Sequence, residues 1–163
     1  MRYLILMLVV ASACTDAISV NLRNGIERYD AYRDLLAGKK VGVVANHTSR
    51  VGEQHGVDFL REQGVDVIRV FAPEHGFRGT ADAGETIKND TDVTTGLPIV
   101  SLYGKNKKPQ PADLKGIEVM VFDIQDVGVR FYTYLSTLHY VMEACAEQGI
   151  PFIVMDRPNP NAF

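Results

Sequence analysis

Cysteine, basic excess and long apolar runs are all scarce in this 163-residue chain, and each scarcity excludes something. Two cysteines cannot build a disulfide framework. Seventeen Lys and Arg stand against 20 Asp and Glu, giving a net charge of −3. With no basic excess and no Lys/Arg block, the chain has no electrostatic footprint for a nucleic-acid partner. The apolar run at the N-terminus, Leu4 to Val10, is far shorter than the ~20 residues a membrane-spanning helix needs. Signature motifs are missing as well. After Val41 to Ala45 the turn reads Asn-His-Thr-Ser-Arg, where a dinucleotide site needs glycines for close backbone approach. No P-loop, G-x-S-x-G elbow, H-E-x-x-H or paired C-x-x-C occurs, so an α/β-hydrolase nucleophile and a zinc site lack support. No cofactor is implied.

What is present is ordinary for a globular protein: 46% apolar and 23% charged residues, with 14 Gly and 7 Pro. That argues against disorder, collagen-like repeats and a coiled coil, and the length suits one domain with a real core. Residues 1–13 read as a targeting segment: Arg2, an apolar run, then Ala11-Ser12-Ala13 in the small-x-small form of a cleavage site. Cys14 follows directly, as in bacterial lipoprotein signals, although those usually carry Leu where Ala11 stands. Plain secretion is the alternative. The shortness of the segment favours lipidation of Cys14, and either reading exports the protein.

From about residue 21 one pattern recurs: a helical segment ends in Gly, a β-rich run follows, and a polar cluster closes it. The runs are Lys40 to Ala45, Val65 to Ala72, Ile117 to Phe122 and Ile150 to Met155. Their clusters are Asn46-His47-Thr48, Pro73-Glu74-His75-Gly76, Asp123-Ile124-Gln125-Asp126 and Asp156-Arg157-Pro158-Asn159. Short Val/Ile/Phe runs without strict alternation suit strands buried on both faces. Strands alternating with helices imply right-handed crossovers and an α/β fold around a parallel sheet. The clearest helix spans about 130–148, with Phe131, Leu135, Leu138, Met142 and Cys145 as its apolar stripe. Residues 73–111 form a long Gly- and Thr-rich excursion with one short strand candidate, Pro98 to Tyr103. The chain stops directly after a strand, without a closing helix, and reads as truncated.

In an open parallel sheet, ligands sit beyond the carboxyl ends of the strands. The layout therefore sends Asn46, His47, Glu74, His75, Asp123, Gln125, Asp126, Asp156 and Arg157 toward one crevice. Glu74 at a buried strand end can act as a general acid; equally, it can cap the following loop. Asp82 and Glu85 can bind sugar hydroxyls or a cation, or be solvated loop charges. Asp126 can face the crevice or cap the long helix. Arg130 can pair with Asp126 or bind a ligand carboxylate. Tyr132 and Tyr134 fall on opposite helical faces, so at most one reaches the site. Asp156 and Arg157 can simply pair with each other. His47 is a site candidate, His55 and His139 read as structural or solvent-facing, and Cys145 as core.

Several longer runs occur in order: Gly42 to Thr48, Ala72 to Gly79, Asp82-Ala83-Gly84-Glu85, Thr95 to Gly104, Val121 to Tyr134, and Asp156 to Pro160. Over about residues 24–163 they resemble the exo-β-N-acetylmuramidase (NamZ-like) family of glycoside hydrolases. The departures are small: Ala72 stands where Ser is common, and Ala162 where Gly is usual. The resemblance implies a Rossmann-like N-terminal domain followed by a smaller domain that this chain does not hold. It implies removal of β-1,4-linked N-acetylmuramic acid from the non-reducing end of peptidoglycan fragments, with Glu74 as the leading catalytic carboxylate. Export to the cell envelope agrees with a cell-wall substrate.

Glycosidases commonly use two carboxyl groups. Asp123 and Glu85 are candidates for the second, unless the substrate's own 2-acetamido carbonyl attacks. Arg130 or Arg78 can meet the lactyl carboxylate of muramic acid. Competing readings are a metal-dependent hydrolase using His47, His75, Asp82 and Asp123, a non-catalytic sugar-binding lipoprotein, and a nucleotide site by fold analogy alone.

Overall fold

The run Lys40–Ala45 forms β1, buried at every position but its first, because it lies at the centre of a six-stranded sheet. The computed structural model describes residues 22–79 and 90–161. Residues 1–13, Cys14, Asp82, Glu85 and Ala162 lie outside the described residues.

A single-turn 3-10 helix, Gly25–Glu27, and helix α1 (Tyr29–Leu36) precede β1. A small antiparallel hairpin, β2 (Arg50–Val51) and β3 (Gln54–His55), leads into α2 (Gly56–Glu62). Then come β4 (Asp66–Ala72), β5 (Asp90–Thr91), β6 (Pro98–Ser101), α3 (Pro111–Leu114), β7 (Val119–Asp123), α4 (Tyr134–Gln148) and β8 (Phe152–Val154). The main sheet runs β5-β6-β4-β1-β7-β8. All its pairings are parallel except β5 with β6 at the edge. The expected α/β sandwich with a mostly parallel sheet is therefore present.

Side chains alternate across the sheet. Val41, Val43, Val119 and Val121 pack on one face with Tyr32 and Leu36 of α1 and Val57 and Leu60 of α2. Val44, Met120 and Phe122 pack on the other with Leu114 of α3 and Val141 and Cys145 of α4. One extra residue, Ile68, bulges from β4 where the register against β1 jumps from Val67 to Arg69. The bulge explains why Val67 and Val70, three apart, face the same core. Gly149 closes α4 with φ 66°, the left-handed turn that residue permits. Cys145 is core as expected, and burial pushes its thiol up to about 11.

The long helix departs from expectation. It begins at Tyr134 rather than near Arg130, because Asp126 to Thr133 is spent in turns, including Gly128 at φ 70° and a Tyr132-to-Val129 backbone bond. Its buried face is Tyr134, Thr137, Val141, Ala144 and Cys145. Phe131, Leu135 and Met142 of the expected stripe are exposed. Both stripes have helical spacing; the docking of α4 on β1 and β7 selects the one that is less apolar.

Candidate active site at the carboxyl ends of the strands

The sheet grows from β1 to β4 and β6 on one side, then returns to place β7 and β8 on the other. This reversal opens a crevice between the carboxyl ends of β1 and β7, the place where open α/β sheets take ligands. Ala45 of β1 is paired with Asp123 of β7, so Asn46 and Asp123 start the two lips.

The β1 lip is locked. Asn46 is fully buried. Its amide N–H donates to Ser49 Oγ (3.0 Å), and its carbonyl accepts from the Ser49 amide and from His55 Nε2, each at 3.0 Å. Its Oδ1 accepts from the Thr48 amide (2.9 Å) and the Thr48 hydroxyl (2.6 Å). Ser49 Oγ in turn donates to the Asp123 carbonyl, tying β1 to β7. His55 is structural as expected: its Nδ1 accepts from Val57 N and caps α2. Burial, above all, holds its pKa below the usual histidine value.

The neighbouring strand β4 delivers Glu74. Pro73 to Gly76 closes in a turn, with the Gly76 amide donating to the Pro73 carbonyl at 3.1 Å. His75 sits at φ 70°, a left-handed conformation that costs an L-residue roughly 1–2 kcal/mol. Such strain persists where surrounding structure enforces it, and it clusters at functional sites. Glu74 and His75 line a pocket of about 220 Å³ with Phe131, Tyr132, Thr133 and Tyr134. Thr133 Oγ1 lies 3.5 Å from Glu74 Oε2. His47 is close enough that His75, after burial, depresses its pKa. Gly79, at φ 77°, packs against His47 so closely that an added Cβ would lie 2.8 Å from the His47 Cβ.

So the structure gathers Asn46, His47, Glu74, His75 and Tyr132. It also brings in Tyr134, which the helical-face argument set against Tyr132. Tyr132 precedes the helix, so both rings line the pocket, 5.7 Å apart and edge to face. Tyr134 is buried, and burial is the main cause raising its phenol pKa.

Other candidates are held elsewhere. Asp123 is fully buried and faces Arg157, with Nε to Oδ1 at 2.6 Å and Nη2 to Oδ2 at 3.0 Å. Arg157 also donates to the Arg50 carbonyl at 3.0 Å. The pair spends both groups on bracing β7 against the loop after β8, and Arg157 is not paired with Asp156. Burial pushes the Asp123 carboxyl up, and the guanidinium pulls it back. Arg78 donates to both oxygens of Asp58 (2.9 and 3.0 Å) and both of Asp92 (2.7 and 2.8 Å). Four of those contacts leave little for a ligand carboxylate. The Arg78 guanidinium is raised above its usual pKa by these bonds, and it holds Asp92 down to about 2.

Gln125 bonds Thr48 through its amide N–H and the Pro158 carbonyl through its side chain. Asp126 neither caps α4 nor pairs with Arg130; its Oδ1 accepts from Gly128 N at 2.6 Å in a local turn. Arg130 and Asp156 are exposed. Sequence reading allowed only one of Tyr132 and Tyr134 into the site, where the structure places both, and it missed Asp58 and Asp92. The two aspartates become visible only when an arginine 20 and 14 residues away folds onto them.

Among the described residues, no three His, Cys, Asp or Glu side chains are grouped to hold a metal ion. A separate, broader polar groove of about 560 Å³ has His47, Arg50, Asp58 and Arg78 in its wall. A third depression, along Leu135, Leu138 and Met142 of α4, contains no carboxylate.

Comparison with known proteins gives a consistent result. Residues 41–163 match the family described as exo-beta-N-acetylmuramidase NamZ, N-terminal. The peptidoglycan beta-N-acetylmuramidase NamZ of Bacillus subtilis (strain 168) is 48% identical over 131 residues, covering 79% of this chain and 32% of that protein. Crystal structures of two DUF1343 family proteins from Bacteroides fragilis NCTC 9343 superpose with TM-scores of 0.76 and 0.72, at 44% and 41% identity. Each superposition covers 85% of this chain and 35% of the other. The chain spans about a third of the length of these relatives.

Proposed function

The chain belongs to the exo-beta-N-acetylmuramidase NamZ N-terminal family, and from that membership we propose that the protein carrying it is a glycosidase acting on peptidoglycan fragments. In this reading it cuts the β-1,4 bond that holds N-acetylmuramic acid at the non-reducing end. The likeness to a curated β-N-acetylmuramidase carries the reading; the pocket geometry agrees with it.

Cleaving a glycosidic bond requires a proton for the leaving oxygen and a group that answers the developing positive charge on the sugar. Glu74 is the carboxyl that the β4 turn presents in the pocket, and we assign it the proton delivery. With Asp123 held by Arg157, Glu85 is the candidate left within this sequence for the second carboxylate, unless the 2-acetamido carbonyl of the substrate attacks or the group lies in the part of the protein outside this chain. Tyr132 and Phe131 offer ring faces for a sugar. Arg130 is exposed in the turn leading to those rings, and it takes the assignment for the lactyl carboxylate in place of Arg78. Asn46, His47 and His75 shape the β1 and β4 sides. Export through residues 1–13, with Cys14 lipidated and anchoring the protein in the envelope, would put the enzyme beside its substrate.

The test is turnover by the protein as encoded, on a nitrophenyl β-N-acetylmuraminide and on the natural disaccharide, with a β-N-acetylglucosaminide as control. Glu74→Gln should cost about 10²–10⁴-fold on the disaccharide. It should cost less on the nitrophenyl compound, whose leaving group needs little protonation. Turnover that survives Glu74→Gln on both substrates removes Glu74 from the chemistry. A folded protein that binds muropeptides without turnover would instead be a sugar-binding envelope protein.

A further inference from the structure

One buried polar group near the Glu74 pocket is left without a hydrogen bond. Asn46 Oδ1 is fixed by two bonds from Thr48, to its amide and its hydroxyl. These bonds decide which side-chain atom is oxygen and which is nitrogen, so Nδ2 must point the other way. Nδ2 is buried without a hydrogen-bond partner. The group it lies beside is the Tyr134 hydroxyl, whose ionised form it favours without completing a bond of ordinary geometry. Tyr134 is only 5% exposed, and the part of it that remains open lines the Glu74 pocket. Native proteins satisfy the great majority of buried polar groups, so an unsatisfied one needs a reason.

We propose that Tyr134, oriented by Asn46, and Glu74 together recognise a secondary amide, which in the glycosidase reading above, on which this inference rests, is the 2-acetamido group of the sugar. With Asn46 Nδ2 directed at the phenol oxygen, the phenol proton is left to point outward, as a donor to a carbonyl oxygen. Glu74 stands within electrostatic reach of that phenol, and its carboxyl oxygen that does not carry the catalytic proton is the acceptor for the adjacent N–H. Donor beside acceptor is the complement of an amide's own C=O and N–H. Neither a hydroxyl nor a carboxylate offers both in that arrangement. The methyl of an acetyl group would meet Phe131 and Tyr132, the apolar walls of the same pocket. Tyr134 is then a specificity-determining residue, and Asn46 a positioning residue that acts through it.

Tyr134→Phe keeps the ring and removes the hydroxyl. In the protein as encoded, kcat/KM for the N-acetylated muraminide should fall about ten-fold, the order expected for one directed hydrogen bond. For the analogue bearing a hydroxyl in place of the acetamido group, it should change less than about two-fold. Equal losses on both substrates, or none on either, overturn the proposal. A binding measurement separates it from the glycosidase reading. In the wild-type protein, the Asn46 side-chain amide resonance should move saturably with N-acetylmuramic acid and stay in place with 3-O-lactylglucose. If it moves that way in a protein without turnover, amide recognition stands and the glycosidase reading falls. If turnover is present while that resonance stays in place, or moves equally with both sugars, the glycosidase reading stands and the amide site falls.

Discussion

Replacing Arg157 by Met should be among the most damaging single changes in this fold, and the reason lies in Asp123. Its carboxylate is fully buried at the end of β7, and both oxygens are engaged by one guanidinium, at 2.6 and 3.0 Å. The pair is nearly dry, with side-chain exposures of 3% for Arg157 and 1% for Asp123. Removing one partner of such a pair costs about 3–5 kcal/mol, because the other charge is stranded, whereas replacing both by neutral groups of similar volume is close to neutral. For a unit of this size the single change corresponds to a fall in Tm of roughly 10–15 °C.

The penalty should also depend on pH. Without Arg157 nothing offsets the burial that raises the Asp123 pKa. A carboxyl whose folded pKa lies above its unfolded value supports the fold at low pH, and that support is lost as pH rises through the folded pKa. Arg157→Met should therefore cost less at pH 5 than at pH 8. Urea unfolding of the wild type, Arg157→Met, Asp123→Asn and the double variant measures all of this. A single-variant cost below about 1 kcal/mol, or a double variant that costs the sum of the two, would refute the reasoning. Turnover adds a second check. A stable double variant that retains it leaves Asp123 a brace, while a stable double variant that has lost it puts Asp123 in the chemistry.

Asp92 gives an acid-side prediction of opposite sign. Arg78 holds its carboxyl down to about 2, so the fold should gain about 2 kcal/mol above pH 4 and lose it as pH falls toward 2. Arg78→Gln should flatten that limb of the acid-unfolding curve, and an unchanged limb would remove the pair from the account. At the N-terminus, labelling with an alkyne fatty acid should mark the wild type and not Cys14→Ala. Equal labelling of the two, or none of either, would leave plain secretion as the reading.

The strands were legible because their physics is local. A short β-branched run between a helix-ending glycine and a polar cluster has few other fates, and β1 falls on Lys40–Ala45 as read. The other runs read as strands shift by a residue or two at their ends, while the two-residue strands β2, β3 and β5 were not read at all. The buried face of α4 was not legible. Phe131, Leu135 and Met142 fit a helical period as well as Tyr134, Thr137 and Val141 do, and only docking on the sheet decides between them. At the site, Glu74, His75, Asn46 and His47 were found because they sit at strand ends, where topology alone delivers them. Arg78 and Arg157 were assigned to the ligand because the sequence could not show their carboxylates, which lie 14 to 34 residues away.

Those two arginines sharpen the case for Glu74. A carboxylate drawn out of water needs compensation, and this fold supplies it wherever the role is to hold parts together. Asp58 and Asp92 share Arg78, and Asp123 has Arg157. Asp126 takes a backbone amide instead. Glu74 is half-buried at the same end of the sheet, yet among the described residues it has no ion-pair partner, only a 3.5 Å contact from a threonine hydroxyl. It is also held forward by a turn whose next residue, His75, is in a conformation that most side chains avoid. A structural carboxylate here would have been paired like its neighbours, and its turn would have been relaxed by a glycine at position 75. An unpaired carboxylate on a strained turn, backed by an unsatisfied amide and a buried phenol, is an arrangement that a bound ligand would complete.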